Sequence, residues 1–116
     1  MKRIILVLAI ICTSIASSYG YNYVEVVGPL GDGAYEQVNF NNTSGSTFQI
    51  LLGAVVADAN SYAWFLSYNS IDAFERVIYG PVNYSEYATK HWGYLQLYAH
   101  SSYDSSFESS AFVMWN

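Results

Sequence analysis

Large apolar and polar side chains change places at every second residue through most of this 116-residue chain, and no other feature constrains its fold as much. In NYVEVV, Val24 and Val26 take one face, Tyr23 and Glu25 the other. AYEQVNF sets Ala34, Val38 and Phe40 against Tyr35, Gln37 and Asn39, with Glu36 as a misfit on the apolar side. STFQILLGAVVA puts Phe48, Ile50, Leu52, Ala54 and Val56 together. Leu51 and Val55 behind them mark a central strand covered on much of both sides. SYAWFLSYN aligns Tyr62, Trp64, Leu66 and Tyr68, and Trp64 in that company is expected in the core. FERVIYG, KHWGYLQLYAHSS and SSAFVMWN continue the pattern. A helix cannot keep a two-residue period on one face, whereas a strand must, and β-branched and aromatic residues suit strands.

Turn chemistry divides the runs. GPLGDG (28–33), NNTSGS (41–46), DANS (58–61), YNS (68–70) and GPVN (80–83) supply the residues that reversals need. The Ser-rich SSYDSSFESS (101–110) carries Tyr103 and Phe107 and precedes an apolar strand, so it reads as a loop. The spacing predicts an all-β fold, a small antiparallel β-sandwich of about seven strands. One stretch also fits a helix: Ile71, Phe74 and Ile78 form a helical stripe behind Ser70, giving a possible short helix near 70–77.

Residues 1–20 have the form of a secretory signal peptide. Lys2 and Arg3 precede an apolar run from Ile4 to Cys12, and small residues follow it. Cleavage is expected after 18 or 20, and 21–116 is expected to be a single β-sandwich domain. The apolar run is far shorter than the ~20 residues that span a bilayer. The expected destination is secreted and extracellular, or periplasmic in a bacterium. Once the signal is removed, Arg76 and Lys90 face nine carboxylates, a formal balance of −7. Two cations cannot build a basic patch, which argues against nucleic acid and anionic membrane as partners. The single cysteine, Cys12, lies in the signal, so the domain is expected to fold without a disulfide and to rest on its aromatic core. Asn41, Asn42 and Asn83 match the N-glycosylation pattern in what read as turns, which matters only in a eukaryotic host.

No catalytic pattern is present. His91 and His100 are an odd number of residues apart and would point to opposite faces of one strand; neither has a Cys partner or a metalloprotease spacing. No serine sits in a nucleophile elbow. The expectation is therefore no enzyme, no metal and no cofactor. KHWGYLQLYAHSS is more informative. Leu95, Leu97 and Ala99 share one side, while Trp92, Tyr94, Gln96, Tyr98 and His100 share the other. Such rings have a flat apolar face and a polar edge, which suits sugars and peptides. Along a strand they would recur at roughly 6.6–6.8 Å. Trp92 and Tyr94 would stack on a ligand, Gln96 and Tyr98 would hydrogen-bond to it, and His100 would make binding respond to pH. The expected function is non-catalytic recognition of an extracellular carbohydrate or protein. Eleven of the twelve tyrosines lie at or after Tyr21, which supports an alternative: a Tyr-rich coat, matrix or cuticle component. A secreted effector or toxin ranks third, because cations are scarce.

Overall fold

The alternating runs become strands in the computed structural model, which describes residues 21–40, 47–68 and 71–116. The proposed signal peptide, Cys12, Asn41 and Asn42 lie outside the described residues. Eight strands follow in order: β1 (Asn22–Gly28), β2 (Asp32–Asn39), β3 (Phe48–Val56), β4 (Tyr62–Tyr68), β5 (Ala73–Tyr79), β6 (Val82–Lys90), β7 (Tyr94–Ser101) and β8 (Ser109–Trp115). They form two four-stranded antiparallel sheets, sheet A in the order β1-β8-β3-β6 and sheet B in the order β2-β7-β4-β5. The sheets pack face to face as a sandwich. Every consecutive pair except β4–β5 changes sheet.

The core is what the two-residue period requires. Val26, Ile50, Leu52, Ala54, Val56, Ala111 and Val113 of sheet A meet Val38, Ala63, Phe65, Phe74, Ile78, Leu95, Leu97 and Ala99 of sheet B. β3 is an inner strand, as its double apolar pattern implied. Glu36 keeps its place on the inward side of β2 and still reaches water, because β2 is an edge of its sheet.

Residues 73–79 are a strand, which overturns the helix near 70–77. Phe74 and Ile78 are four apart, a separation that serves one face of a strand as well as one face of a helix. Both are buried, whereas Ile71, the third member of the stripe, is exposed. Asn83 lies within β6 and is exposed there, so it sits on a strand and not in the expected turn.

Connections are fixed by short-range chemistry. Asp32 N donates to Pro29 O at 3.0 Å, and Gly31 supplies the positive φ of 80° at the third position of that turn. The Ser-rich loop is pinned to the β3–β4 loop by Asp58. Its carboxylate accepts from the hydroxyls of Ser61 (2.7 Å), Ser102 (2.7 Å) and Ser105 (3.0 Å) and from Asn60 N (3.0 Å). The Ser102 and Ser61 bonds lead in holding its pKa down to about 2. At the open side of the sandwich, Arg76 on β5 grips Glu86 on β6 through two bonds of 3.0 and 3.1 Å. Tyr84 also donates to Glu86. The Arg76 side chain is exposed enough that the pair contributes no more than about 1 kcal/mol.

Candidate binding face

The strand expected to carry the site is β7, an inner strand of sheet B. Its alternation holds from Tyr94 to Ser101. Leu95, Leu97 and Ala99 are fully buried, while Tyr94, Gln96, Tyr98 and His100 are half-exposed on the outer face.

Trp92 does not belong to that face. It is 0% exposed, its Nε1 donates to Phe48 O at 3.0 Å, and its ring packs edge-on against Phe74 at 5.2 Å. The reason is a change of parity. Even-numbered residues point inward on β6 of sheet A and outward on β7 of sheet B, and residues 91–93 cross between the sheets. Trp92 keeps the inward side of the strand it leaves. His91, in the same crossing, holds Asp72: its backbone N and ring Nδ1 each lie 2.9 Å from Asp72 Oδ2. Those bonds, the backbone one foremost, keep the Asp72 pKa below its usual value. The two histidines are thus far apart in role, and among the described residues no three His, Cys, Asp or Glu side chains gather as metal ligands.

Antiparallel register turns the outer face of sheet B into a grid. The central row crosses all four strands as Tyr35, Tyr98, Trp64 and Val77. On one side lies the row Gly33, His100, Tyr62 and Tyr79; on the other lie Gln37, Gln96, Leu66 and Glu75. The ring of Tyr62 is 5.2 Å from His100 and 6.1 Å from Tyr79 in its own row and 5.6 Å from Tyr98 in the central row, so these four rings are continuous. Tyr98 lies across Gly33, where an added β-carbon would overlap its hydroxyl. The Trp64 ring leans the other way and donates from Nε1 to Glu75 Oε2 at 2.9 Å. Between them opens a groove of about 270 Å³ lined by Tyr35, Trp64, Leu66, Gln96, Leu97 and Tyr98. At its far rim, Gln96 Nε2 donates to Gln37 Oε1 at 3.2 Å, and Gln37 Nε2 to Asn39 Oδ1 at 3.1 Å.

Burial, then the hydrogen bond with Tyr62 and the nearby Asp32 charge, raise the Tyr98 pKa above the ordinary phenol value. Tyr98 therefore stays a neutral hydrogen-bonding group beside the groove at any physiological pH. The geometry suits holding a flat molecule, rings against one wall and amides at the other.

Sequence reasoning placed Trp64 in the core, and the structure puts it on the outer face. It also passed over Tyr35, Tyr62, Leu66 and Gln37. The signal was present in SYAWFLSYN, where the opposite parity holds Ala63, Phe65 and Ser67. Small residues there let the sheets approach, and all three are buried.

A wider hollow of about 440 Å³ lies at one end of sheet A, bordered by Tyr21, Thr47, Leu51, Tyr87, Met114 and Trp115. Its lining also holds Phe48, Gln49 and Asn116, so rings and amides meet here as well, around the chain's last residues.

No protein-family model matches the chain, and no curated protein matches it. Among solved structures, the chain is similar to the capsular polysaccharide assembling protein CapF from Staphylococcus aureus, at 15% identity and a TM-score of 0.27. The match covers 80% of this chain and 26% of that one, so this chain spans about a quarter of its length. So slight a likeness carries no functional argument.

Proposed function

We propose that the protein is an exported, non-catalytic binding protein that recognises an extracellular carbohydrate or protein through the outer face of sheet B. The observation that supports this best is the groove between Trp64 and Tyr98, with amides at its rim. Solvent-reachable Trp and Tyr concentrated on one sheet face are the residue types that dominate recognition energetics. Tyr94, Gln96, Tyr98 and His100 stay in the proposed site, Trp64 and Tyr35 join it, and Trp92 leaves it. Export rests on the form of residues 1–20. No helix among the described residues is long and apolar enough to cross a membrane.

The test is a screen of the purified protein on arrays of glycans and extracellular proteins, repeated with Trp64→Ala and Tyr35→Ala. A ligand held by the wild type and lost in both variants, with cooperative unfolding retained, is the expected result. A ligand held equally by all three overturns the reading. Mass analysis of exported material should show an N-terminus at Tyr19 or Tyr21, and an intact Met1 would remove the export proposal.

One observation favours a second reading, a coat or matrix component cross-linked through oxidised tyrosines: Tyr21, Tyr35, Tyr68, Tyr79, Tyr87 and Tyr103 are all exposed. Dityrosine fluorescence in native material would move the balance to it.

A further inference from the structure

We propose that the groove on sheet B takes an uncharged polysaccharide, a sugar ring seated between Trp64 and Tyr98 and the chain running across the strands. This rests on the binding reading above and deepens it.

Charge is the first support. No Lys or Arg stands at an outward position of β2, β4, β5 or β7. Glu75 is the one carboxylate among those positions, and its Oε2 already accepts from Trp64. An anionic glycan would find no cation there, and the domain's acidic balance would repel it. A cationic ligand would find two carboxylates near the groove, each already accepting a hydrogen bond: Glu75 from Trp64, and Asp32, whose charge reaches Tyr98, from Gly33 N.

Chemistry is the second. Pyranose rings offer an apolar C–H face and a rim of hydroxyls that both donate and accept. The groove matches that division: Trp64, Tyr98 and Leu66 supply apolar walls, and Gln96 supplies an amide that donates and accepts, linked beyond the lining to Gln37 and Asn39. Each of these amides can turn from its neighbour to a hydroxyl without leaving a buried charge.

Geometry is the third. The groove lies between two register rows, so it crosses the strands instead of following β7. Tyr35, Tyr98 and Trp64 then recur at the strand spacing of ~4.8 Å, on the order of one sugar unit along a chain. The face between its outermost strands covers roughly 300–500 Å². That is small beside the ~800 Å² each partner gives to a standard protein interface, and it favours a narrow linear ligand over a second globular surface.

The experiment is native electrophoresis of the full secreted chain through gels containing a soluble mixed-linkage β-glucan, xylan or galactomannan, and, separately, alginate or heparin. Retardation by at least one neutral polymer, unchanged by added salt and absent with the anionic polymers, is expected. Trp64→Ala should weaken it about 30-fold or more, and Gln96→Ala about fivefold. Tyr87→Ala, on sheet A, should leave it unchanged. Where no neutral polymer retards the protein, the polysaccharide proposal falls. If a protein ligand is then found that Trp64→Ala abolishes, the binding face survives without it. Retardation that Trp64→Ala leaves intact overturns both.

Discussion

The outer faces of the two sheets both carry aromatic rings and use them differently. On sheet A, Phe112 lies over Gly53 and stacks on Tyr23 at 5.7 Å with the rings 25° from parallel. Leu51, Val55 and Met114 surround that pair at half-exposed positions. On sheet B a ring also lies over a glycine, Tyr98 over Gly33, yet its neighbours leave a groove rather than filling it. The polar groups differ as well. Sheet B sets an indole N–H, phenols, an imidazole and amides among its rings. Sheet A sets Glu25 beside Phe112, where burial pushes the carboxyl pKa up despite a bond from Tyr23. A ring folded onto its own sheet covers the backbone beneath it, as Phe112 covers Gly53. A ring that leans from its neighbour and keeps a polar edge leaves room for something else. Ring content alone therefore does not mark a binding face; the direction in which rings lean does.

The largest effect that can test this contrast belongs to neither face. Trp92→Ala removes a fully buried ring between the sheets and should cost ~3–5 kcal/mol. Trp64→Ala should cost under about 1 kcal/mol in stability while removing ligand binding. Chemical denaturation of the two variants checks this, and a severe loss of stability in Trp64→Ala would show that sheet B, too, spends its rings on itself.

Next come the two glycines beneath the rings. A β-carbon at Gly53 would strike the ring atoms of Phe112, which is held on its other side by Tyr23. Gly53→Ala should therefore destabilise by ~1–3 kcal/mol through overpacking and leave sheet B untouched. A β-carbon at Gly33 meets the far end of the Tyr98 side chain, which can swing aside. Gly33→Ala should change stability by less than ~1 kcal/mol and lower ligand affinity by displacing Tyr98. Equal stability losses in the two variants would break the contrast.

These positions also show what could be read from residues alone. The period of two gave the strands, and the strands gave the sandwich, because alternation is a local property that backbone geometry enforces. Which face turns inward is not local. For β7 the answer was available, since leucines opposed amphipathic rings. For β4 both faces are apolar, and only the partner sheet decides that Phe65 goes in and Trp64 out. Trp92 failed for a related reason: one pattern was extended across a sheet change that reverses parity. The rows of the grid were out of reach, because register between strands depends on pairings that no single strand encodes.

The smallest effect concerns the carboxylate on sheet A. Burial raises the Glu25 pKa in the folded state above its ordinary 4.5. A raised carboxylate pKa means the folded state binds its proton more tightly than the unfolded chain does. Glu25 therefore weighs against folding at neutral pH, and that penalty is relieved as pH falls through the raised value toward 4.5. Asp58 runs the opposite way. Its folded pKa of about 2 lies below its ordinary 3.8, so it contributes stability above pH 3.8 that is lost as pH falls from there toward 2. Glu25→Gln should stabilise the protein at pH 7 by a few tenths of a kcal/mol, with the gain shrinking toward pH 4. Asp58→Asn should flatten the loss below pH 4. Thermal unfolding across pH 2–8 for wild type and both variants checks the signs. A Glu25→Gln variant no more stable than wild type at pH 7 would mean that the Phe112 side of sheet A is wetter than its stacked rings imply, and so closer in kind to sheet B.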